Sequence, residues 1–307
     1  MDDGWEEIAL NSIGFIGLGI MGKPMAKRLL RAGYPVICHN RSREAVVELV
    51  DLGAREGRSP ADVARESDVV ITMLPNSPDV EQVILGPDGV IDGARPGTIV
   101  VDMSSIDPTV SRAVSERLAQ KGIIMLDAPV SGGEPKAIEG TLSIMVGGPQ
   151  EAFDRVKEIL AAMGSSVVLV GEIGSGNVTK LANQIIVGLN IAAMSEAMVL
   201  AHKSGVDPEK VYRAIRGGLA GSNVLDAKVP LVLQGNFKPG FRIELHIKDL
   251  ANALAAAHDV GVPLLLTSQV MEIMQALKVQ GKARDDHGGV IQFYETLAGV
   301  EVRKPGE

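Results

Sequence analysis

The chain has one cysteine in 307 residues, Cys38, so an intramolecular disulfide is excluded and a reducing compartment is the expected setting. Aromatic residues make up only 3%, leaving little to stack on nucleic-acid bases. Lys and Arg number 30 against 38 Asp and Glu, for a formal net charge of −8. Such a chain is a poor ligand for phosphate backbones, and no nucleic-acid partner is expected. No uninterrupted apolar run reaches the ~18 residues of a membrane span. The nearest candidate, 185–200, is broken by Asn190, Ser195 and Glu196, so no membrane partner is expected. The chain starts Met1-Asp2-Asp3-Gly4-Trp5-Glu6-Glu7, acidic where a secretory leader is basic, which points to a cytoplasmic protein. Histidines are few and scattered. Asp285-Asp286-His287 resembles a metal cluster, but adjacent residues rarely converge on one ion, and no metal is expected.

Apolar residues are plentiful at 46%, enough for a sizeable core, and the length suggests two domains. The first half alternates short Val- and Ile-rich runs with helical patterns. The runs are 13–17, 35–38, 69–74, 98–103, 123–127, 142–146 and 167–170. Near-continuous apolar runs of this length predict strands buried on both faces, hence a mainly parallel sheet with helices on either side. Ser59-Pro60, Ser77-Pro78 and Asp107-Pro108 read as helix starts, a capping side chain followed by a residue that needs no N–H partner. After Gly171 the pattern changes. Between 176 and 204 there is no proline, and Gly188 is the one glycine in its interior, which predicts a single long helix. Further helices are expected at 210–216, 223–233, 246–259, 263–280 and 289–298. The expected organisation is an N-terminal extension (1–12), an α/β domain (13–172) and an all-helical domain (173–307) joined by the long helix.

Gly17-Leu18-Gly19-Ile20-Met21-Gly22 matches G-x-G-x-x-G. It follows the apolar run Ile13-Gly14-Phe15-Ile16 and opens a helix that ends at Gly33. In that context Gly17 allows the tight turn, Gly19 lets the backbone approach a pyrophosphate, and Gly22 lets helix and strand pack closely. The first domain is therefore expected to be a doubly wound, Rossmann-type dinucleotide-binding fold. An acid that would bind a ribose 2′-hydroxyl is missing at the end of the second strand, where His39-Asn40-Arg41-Ser42-Arg43 stands instead. Asn40, Arg41 and Ser42 suit a 2′-phosphate, so NADP is the expected cofactor, with NAD as the alternative. The same residues also read as a solvated loop. Leu74 and Pro75, ending the fourth strand run, are expected to line the nicotinamide end.

Four more segments complete a recognisable set: Val101-Asp102-Met103-Ser104-Ser105, Asp127-Ala128-Pro129-Val130-Ser131-Gly132-Gly133, the stretch from Gly174 to Gln184, and Ile247-Lys248-Asp249-Leu250. With the Gly-rich start, their order and spacing resemble the β-hydroxyacid dehydrogenase family over roughly residues 13–300. Segments 216–222 and 236–242 look most like the branch that reduces tartronate semialdehyde to D-glycerate. Dehydrogenases of 3-hydroxyisobutyrate and reductases of glyoxylate or succinic semialdehyde are the alternatives within the family. The branch often carries Asp where this chain has Asn40. The resemblance implies that Lys180 is the catalytic acid/base, a role a lysine ammonium can fill when an aldehyde is reduced. Asn183 and Gln184 lie three and four residues on, on the same helix face, and are the implied substrate contacts. Ser131, Gly132 and Gly133 match the family's carboxylate-binding segment, as exposed N–H groups and a hydroxyl would suit. Ser105 matches a position near the nicotinamide ribose, although it also reads as a helix cap. Lys248 matches a second lysine near the cofactor. The implied partner is a small carboxylate-bearing semialdehyde, and a homodimer or homotetramer is expected because the long helix is apolar beyond a single stripe.

Overall fold

The computed structural model describes residues 12–303. Trp5 and nearly all of the expected N-terminal extension lie outside the described residues. The chain divides into two compact units between Lys180 and Leu181.

The first unit is built on one sheet. Its strands are β1 (Ile13–Ile16), β2 (Val36–His39), β3 (Arg55–Glu56), β4 (Val69–Thr72), β5 (Ile99–Asp102), β6 (Ile124–Asp127), β7 (Val130–Ser131), β8 (Leu142–Gly147) and β9 (Gly164–Gly171). The order is β3-β2-β1-β4-β5-β6-β8-β7, with β9 also paired to β8. From β3 to β6 every pairing is parallel, in the 3-2-1-4-5-6 order of a doubly wound dinucleotide-binding fold. The sheet is mainly parallel, as expected; beyond β6, β8 runs antiparallel to both β6 and β7 and parallel to β9. The chain reverses between β7 and β8 across the short Gly133–Glu139 helix.

Alternating side chains feed two cores, one on each face. Ile13, Phe15, Val69, Ile71, Ile99 and Val101 pack with Met25 and Leu29 of the Gly22–Arg31 helix. Ile16, Val70 and Val100 pack on the other face with Val63, Val80, Val114 and Leu118. The helix starts are only partly as expected. Ser59 accepts from the Asp62 N–H and Asp107 from the Thr109 N–H, each followed by proline. Ser77 is not a cap. The Ser77–Leu85 helix begins on Ser77 itself, and its hydroxyl instead accepts from the Asp107 N–H at 3.2 Å. Ser105 does not cap the Pro108–Ala119 helix either, because Asp107 fills that role.

The second unit has only helices among its described elements. The long helix, Ser175–Lys203, runs into it from the first unit. Pro208–Ile215, Asn223–Leu233, Ile243–Asp259, Leu265–Leu277 and Ile291–Ala298 follow. Their core gathers Ile191, Met194, Met198, Val229, Leu250, Met274 and Ile291. By length and composition the long helix could cross a bilayer, although it has no uninterrupted apolar run. Part of its apolar surface is met by this core, in which Ile191 and Met198 are fully buried.

Candidate active site

The parallel strands end in register, and that sets the site. Ile16 pairs with His39 and Thr72, Thr72 with Asp102, and Asp102 with Asp127. The residues just past these ends therefore line one edge of the sheet, where such folds bind ligands. Gly17 has φ +96°, and a Cβ there would lie 2.3 Å from the Met73 carbonyl, so only glycine makes this turn. A Cβ on Gly22 would lie 1.9 Å from the Gly17 carbonyl. Around Gly19, by contrast, a Cβ meets nothing within 4 Å. Met21 precedes the Gly22–Arg31 helix and offers no side-chain cap. The Lys23 N–H goes to the Gly19 carbonyl and Pro24 has none, which leaves the Gly22 N–H at the helix start for an anionic ligand. Open space at Gly19 above an uncapped helix start fits a pyrophosphate. Leu18 is buried, Ile20 exposed and Met21 half-buried along this loop.

Asn40 joins this turn to the end of β2. Its Oδ1 accepts from the Leu18 N–H at 2.9 Å, and its Nδ2 donates to the carbonyl and hydroxyl of Ser42, each at 2.9 Å. Arg41 and Ser42 are exposed. Cys38, just inside the strand, is inert: burial, then Glu56, push its thiol up to about 11.

Asp102 was given no role by the sequence, and it organises the neighbouring strand ends. Its Oδ1 accepts from the Thr72 hydroxyl (2.8 Å), the Ser104 hydroxyl (2.5 Å) and the Ser104 N–H (3.2 Å). The Ser104 hydroxyl in turn accepts from the Leu74 N–H at 2.9 Å. Leu74, Pro75 and Ser105 thus leave the sheet from anchored positions. Asp102 is wholly buried, which pushes its carboxyl up to about 6 against these hydrogen bonds.

Asp127 does the same for the start of the long helix. Its carboxylate accepts from the N–H groups of Gly174 (2.7 Å) and Asn177 (2.6 Å), which otherwise have no helical partner. Burial pushes its carboxyl up to about 6. The Asn177 side chain, fully buried, accepts from the Ile106 N–H and donates to the Ser111 hydroxyl. Lys180 follows one turn later, 7% exposed. This anchoring keeps the first turns of the helix with the first unit, so the unit boundary falls after the expected 172/173. Three residues past Asp127, Val130–Ser131 forms β7, paired to Ile144 and Ser143. Gly132 (φ +139°) and Gly133 (φ +69°) follow, both in the left-handed half of the map. Only glycines make this double turn, and it presents successive N–H groups beside a serine hydroxyl. The glycine cradle and the buried lysine both start from Asp127.

In the second unit, Gln184 is 4% exposed and donates to Asp249 Oδ2 at 2.5 Å. Its Oε1 accepts from Asn183 Nδ2 at 2.9 Å, and Asn183 is half-buried. Lys248 Nζ lies 3.1 Å from Asp249 Oδ1. The Asp285-Asp286-His287 stretch, read from the sequence as structural or at the surface, holds a structural clasp at Asp286. It accepts from Lys228 Nζ (2.7 Å) and from the N–H groups of Gly240, Phe241 and Gly288. His287 turns instead to His246, their Nδ1 atoms 3.0 Å apart.

Residues 12–171 match the family model described as the NAD-binding domain of 6-phosphogluconate dehydrogenase, and 174–294 that of NADP-dependent 3-hydroxyisobutyrate dehydrogenase. The chain is 42% identical to 2-hydroxy-3-oxopropionate reductase of Escherichia coli (strain K12) over 93% of this chain and 98% of that protein. It is 38% identical to 2-(hydroxymethyl)glutarate dehydrogenase of Eubacterium barkeri over 94% and 97%. Among solved structures, 3-hydroxyisobutyrate dehydrogenase of Mycobacterium tuberculosis has a TM-score of 0.84 at 32% identity, covering 93% of this chain and 99% of that one. Psf3 in complex with NADP+ and 2-OPP also has a TM-score of 0.84, at 26% identity, over 92% and 99%.

Proposed function

Because the chain belongs to the β-hydroxyacid dehydrogenase family, we propose that it reduces 2-hydroxy-3-oxopropionate (tartronate semialdehyde) to D-glycerate, with Lys180 as general acid. As a member it is an NAD(P)-dependent oxidoreductase, and its cofactor is NADP, with NAD as the alternative. In our reading Gly17–Gly22 hold the pyrophosphate, Asn40, Arg41 and Ser42 the 2′-phosphate, and Leu74, Pro75 and Ser105 the nicotinamide end. A reduced nicotinamide held there would supply a hydride to the aldehyde carbon. The Lys180 ammonium gives a proton to the aldehyde oxygen as charge develops on it, leaving a primary alcohol. The neutral amine then regains its proton from water. Ser131, Gly132 and Gly133 take the substrate carboxylate, and the Asn183–Gln184 amides serve the 2-hydroxyl.

The observation that carries this reading is a lysine 7% exposed, on a helix turn that Asp127 and Asn177 pin to the sheet. A positioned donor of that kind does little for binding and much for proton transfer. Its resemblance to the E. coli reductase across nearly the whole chain supports the substrate. The test is a side-by-side steady-state assay with NADPH. A site built for a hydroxyl leaves its own polar groups unpaired with analogues that lack one. Tartronate semialdehyde should therefore exceed methylmalonate and succinic semialdehydes in kcat/KM by about tenfold, one buried hydrogen bond. A competitor that matches it removes this substrate while leaving the family and the acid in place.

The same reading includes a homodimer or homotetramer. Ile186 is 60% exposed and Leu200 69% exposed on the long helix, apolar surface that a second copy would cover. Light scattering on the purified protein counts the chains.

A further inference from the structure

The second unit holds a buried imidazole pair that the proposed chemistry leaves unused. His246 is fully buried and His287 is 6% exposed. His246 Nε2 lies 3.1 Å from the main-chain carbonyl of Gln184, and its Nδ1 lies 3.0 Å from His287 Nδ1. A carbonyl only accepts, so the proton of a neutral His246 sits on Nε2. Its Nδ1 is then an acceptor, and His287 must carry its proton on Nδ1. The hydrogen bonds thus assign both tautomers. Phe241 stands edge-on to both rings, with centroids 5.8 and 5.2 Å away, and holds them in place.

The imidazole meets the helix backbone right beside Gly188. In an α-helix the carbonyl of residue 184 faces the N–H of residue 188. A Cβ on Gly188 would lie 3.3 Å from His246 Nε2 and 3.4 Å from Cε1, closer than a buried ring between two neighbours can accommodate without shifting. This gives the one interior glycine of the long helix a physical reason. His246 and Asp249 lie three residues apart on the Ile243–Asp259 helix and so share a face. One grips the main chain of Gln184 and the other its side-chain amide. Asp249 can only accept, which turns Gln184 Nε2 toward it and Oε1 toward Asn183. A clamp at two points fixes both the place and the orientation of the Asn183–Gln184 amides.

We propose that His246, admitted by Gly188 and set in its tautomer by His287, is a positioning residue that holds the Asn183–Gln184 pair for the substrate. This rests on the reading above, in which that pair serves the substrate hydroxyl. The inference concerns the aldehyde and not the dinucleotide, so its signature is a rise in KM for tartronate semialdehyde with NADPH affinity unmoved. His246→Phe keeps a ring but loses the donor, and should raise that KM by about tenfold, the worth of a buried hydrogen bond. His246→Gln restores an N–H donor and should recover most of the loss. NADPH affinity, followed by fluorescence titration, should match the parent for both.

His246→Phe also strands the His287 proton, so the test does not depend on that variant folding. Gly188→Ala decides the matter separately, because alanine favours a helix while its Cβ displaces the imidazole. It should raise KM without lowering the thermal midpoint, a split that a merely structural glycine would not produce. Gln184→Leu separates the two levels of the argument. If it raises KM while Gly188→Ala and any folded His246 variant match the parent, the clamp is overturned and the proposed function stands. If the parent reduces no carboxylate-bearing semialdehyde, or Gln184→Leu leaves KM unmoved, the reading of the site falls and the clamp with it.

Discussion

At Asn40 one amide does two jobs: it ties the glycine turn to β2 through the Leu18 N–H, and it orders Ser42. Asn40→Asp keeps the acceptor for Leu18, loses the donors to Ser42, and adds a negative charge where a 2′-phosphate would lie. We expect the parent to use NADPH with higher kcat/KM than NADH, and Asn40→Asp to shift the ratio toward NADH. Equal or better efficiency of the parent with NADH would refute this. At Lys180 the expectation is of a different kind. Lys180→Ala should lower kcat on the order of 10²- to 10⁴-fold, the scale of a positioned proton donor. NADPH affinity should change far less, and a variant within about threefold of the parent would dismiss Lys180 as the acid.

The element that matters most is the start of the Ser175–Lys203 helix. A helix leaves its first N–H groups without partners, and here Asp127 takes those of Gly174 and Asn177. The Asn177 side chain adds a second tie, to the Ile106 N–H and the Ser111 hydroxyl. Asn177→Ala would leave the buried Ile106 N–H without its acceptor, at a cost of about 1–3 kcal/mol. Denaturant titration should show that loss. Because the same turn carries Lys180, kcat should fall as well, with NADPH affinity largely kept. A variant of parental stability would show that the tie to Ile106 is replaceable.

For the whole molecule, the buried carboxyls give stability a pH dependence. Asp102 and Asp127 are both raised from an ordinary 3.8 to about 6, chiefly by burial. The folded chain therefore holds these protons more tightly than the unfolded chain. The stability they contribute is fully present below about pH 4 and is lost as pH rises through about 6. Glu48 works the other way: hydrogen bonds from Lys23 and Lys27 hold it down at about 2, so its contribution is lost in acid. Comparing Asp102→Asn with the parent isolates one group. Asparagine keeps the acceptor for Thr72 and Ser104 but carries no charge to bury. The stability difference, variant minus parent, should rise between pH 4 and 7 by on the order of 1–3 kcal/mol. A flat difference across that range would mean that Asp102 titrates as an ordinary carboxyl.

Much of this was legible along the chain. Val- and Ile-rich runs placed seven of the strands; six are largely buried, because a strand covered on both faces must be apolar throughout, whereas β9 is apolar yet largely exposed. The interval 176–204 without proline anticipated Ser175–Lys203, and 223–233 coincides with Asn223–Leu233. The glycine motif was readable because Gly17 and Gly22 answer local demands of the backbone, while Gly19 leaves open space. Tertiary structure decided the rest. Arg55–Glu56 and Val130–Ser131 are two-residue strands with no periodicity of their own, and they exist only through pairing with β2 and β8. The groups that hold the site in place are equally silent in sequence. Asp127 meets Asn177 across 50 residues, Thr72 meets Asp102 across 30, and His246 meets His287 across 41. Local pattern records what a residue's own turn or strand requires. A hydrogen bond between distant segments leaves no period to read, and its partners are chosen only when packing brings both out of water together.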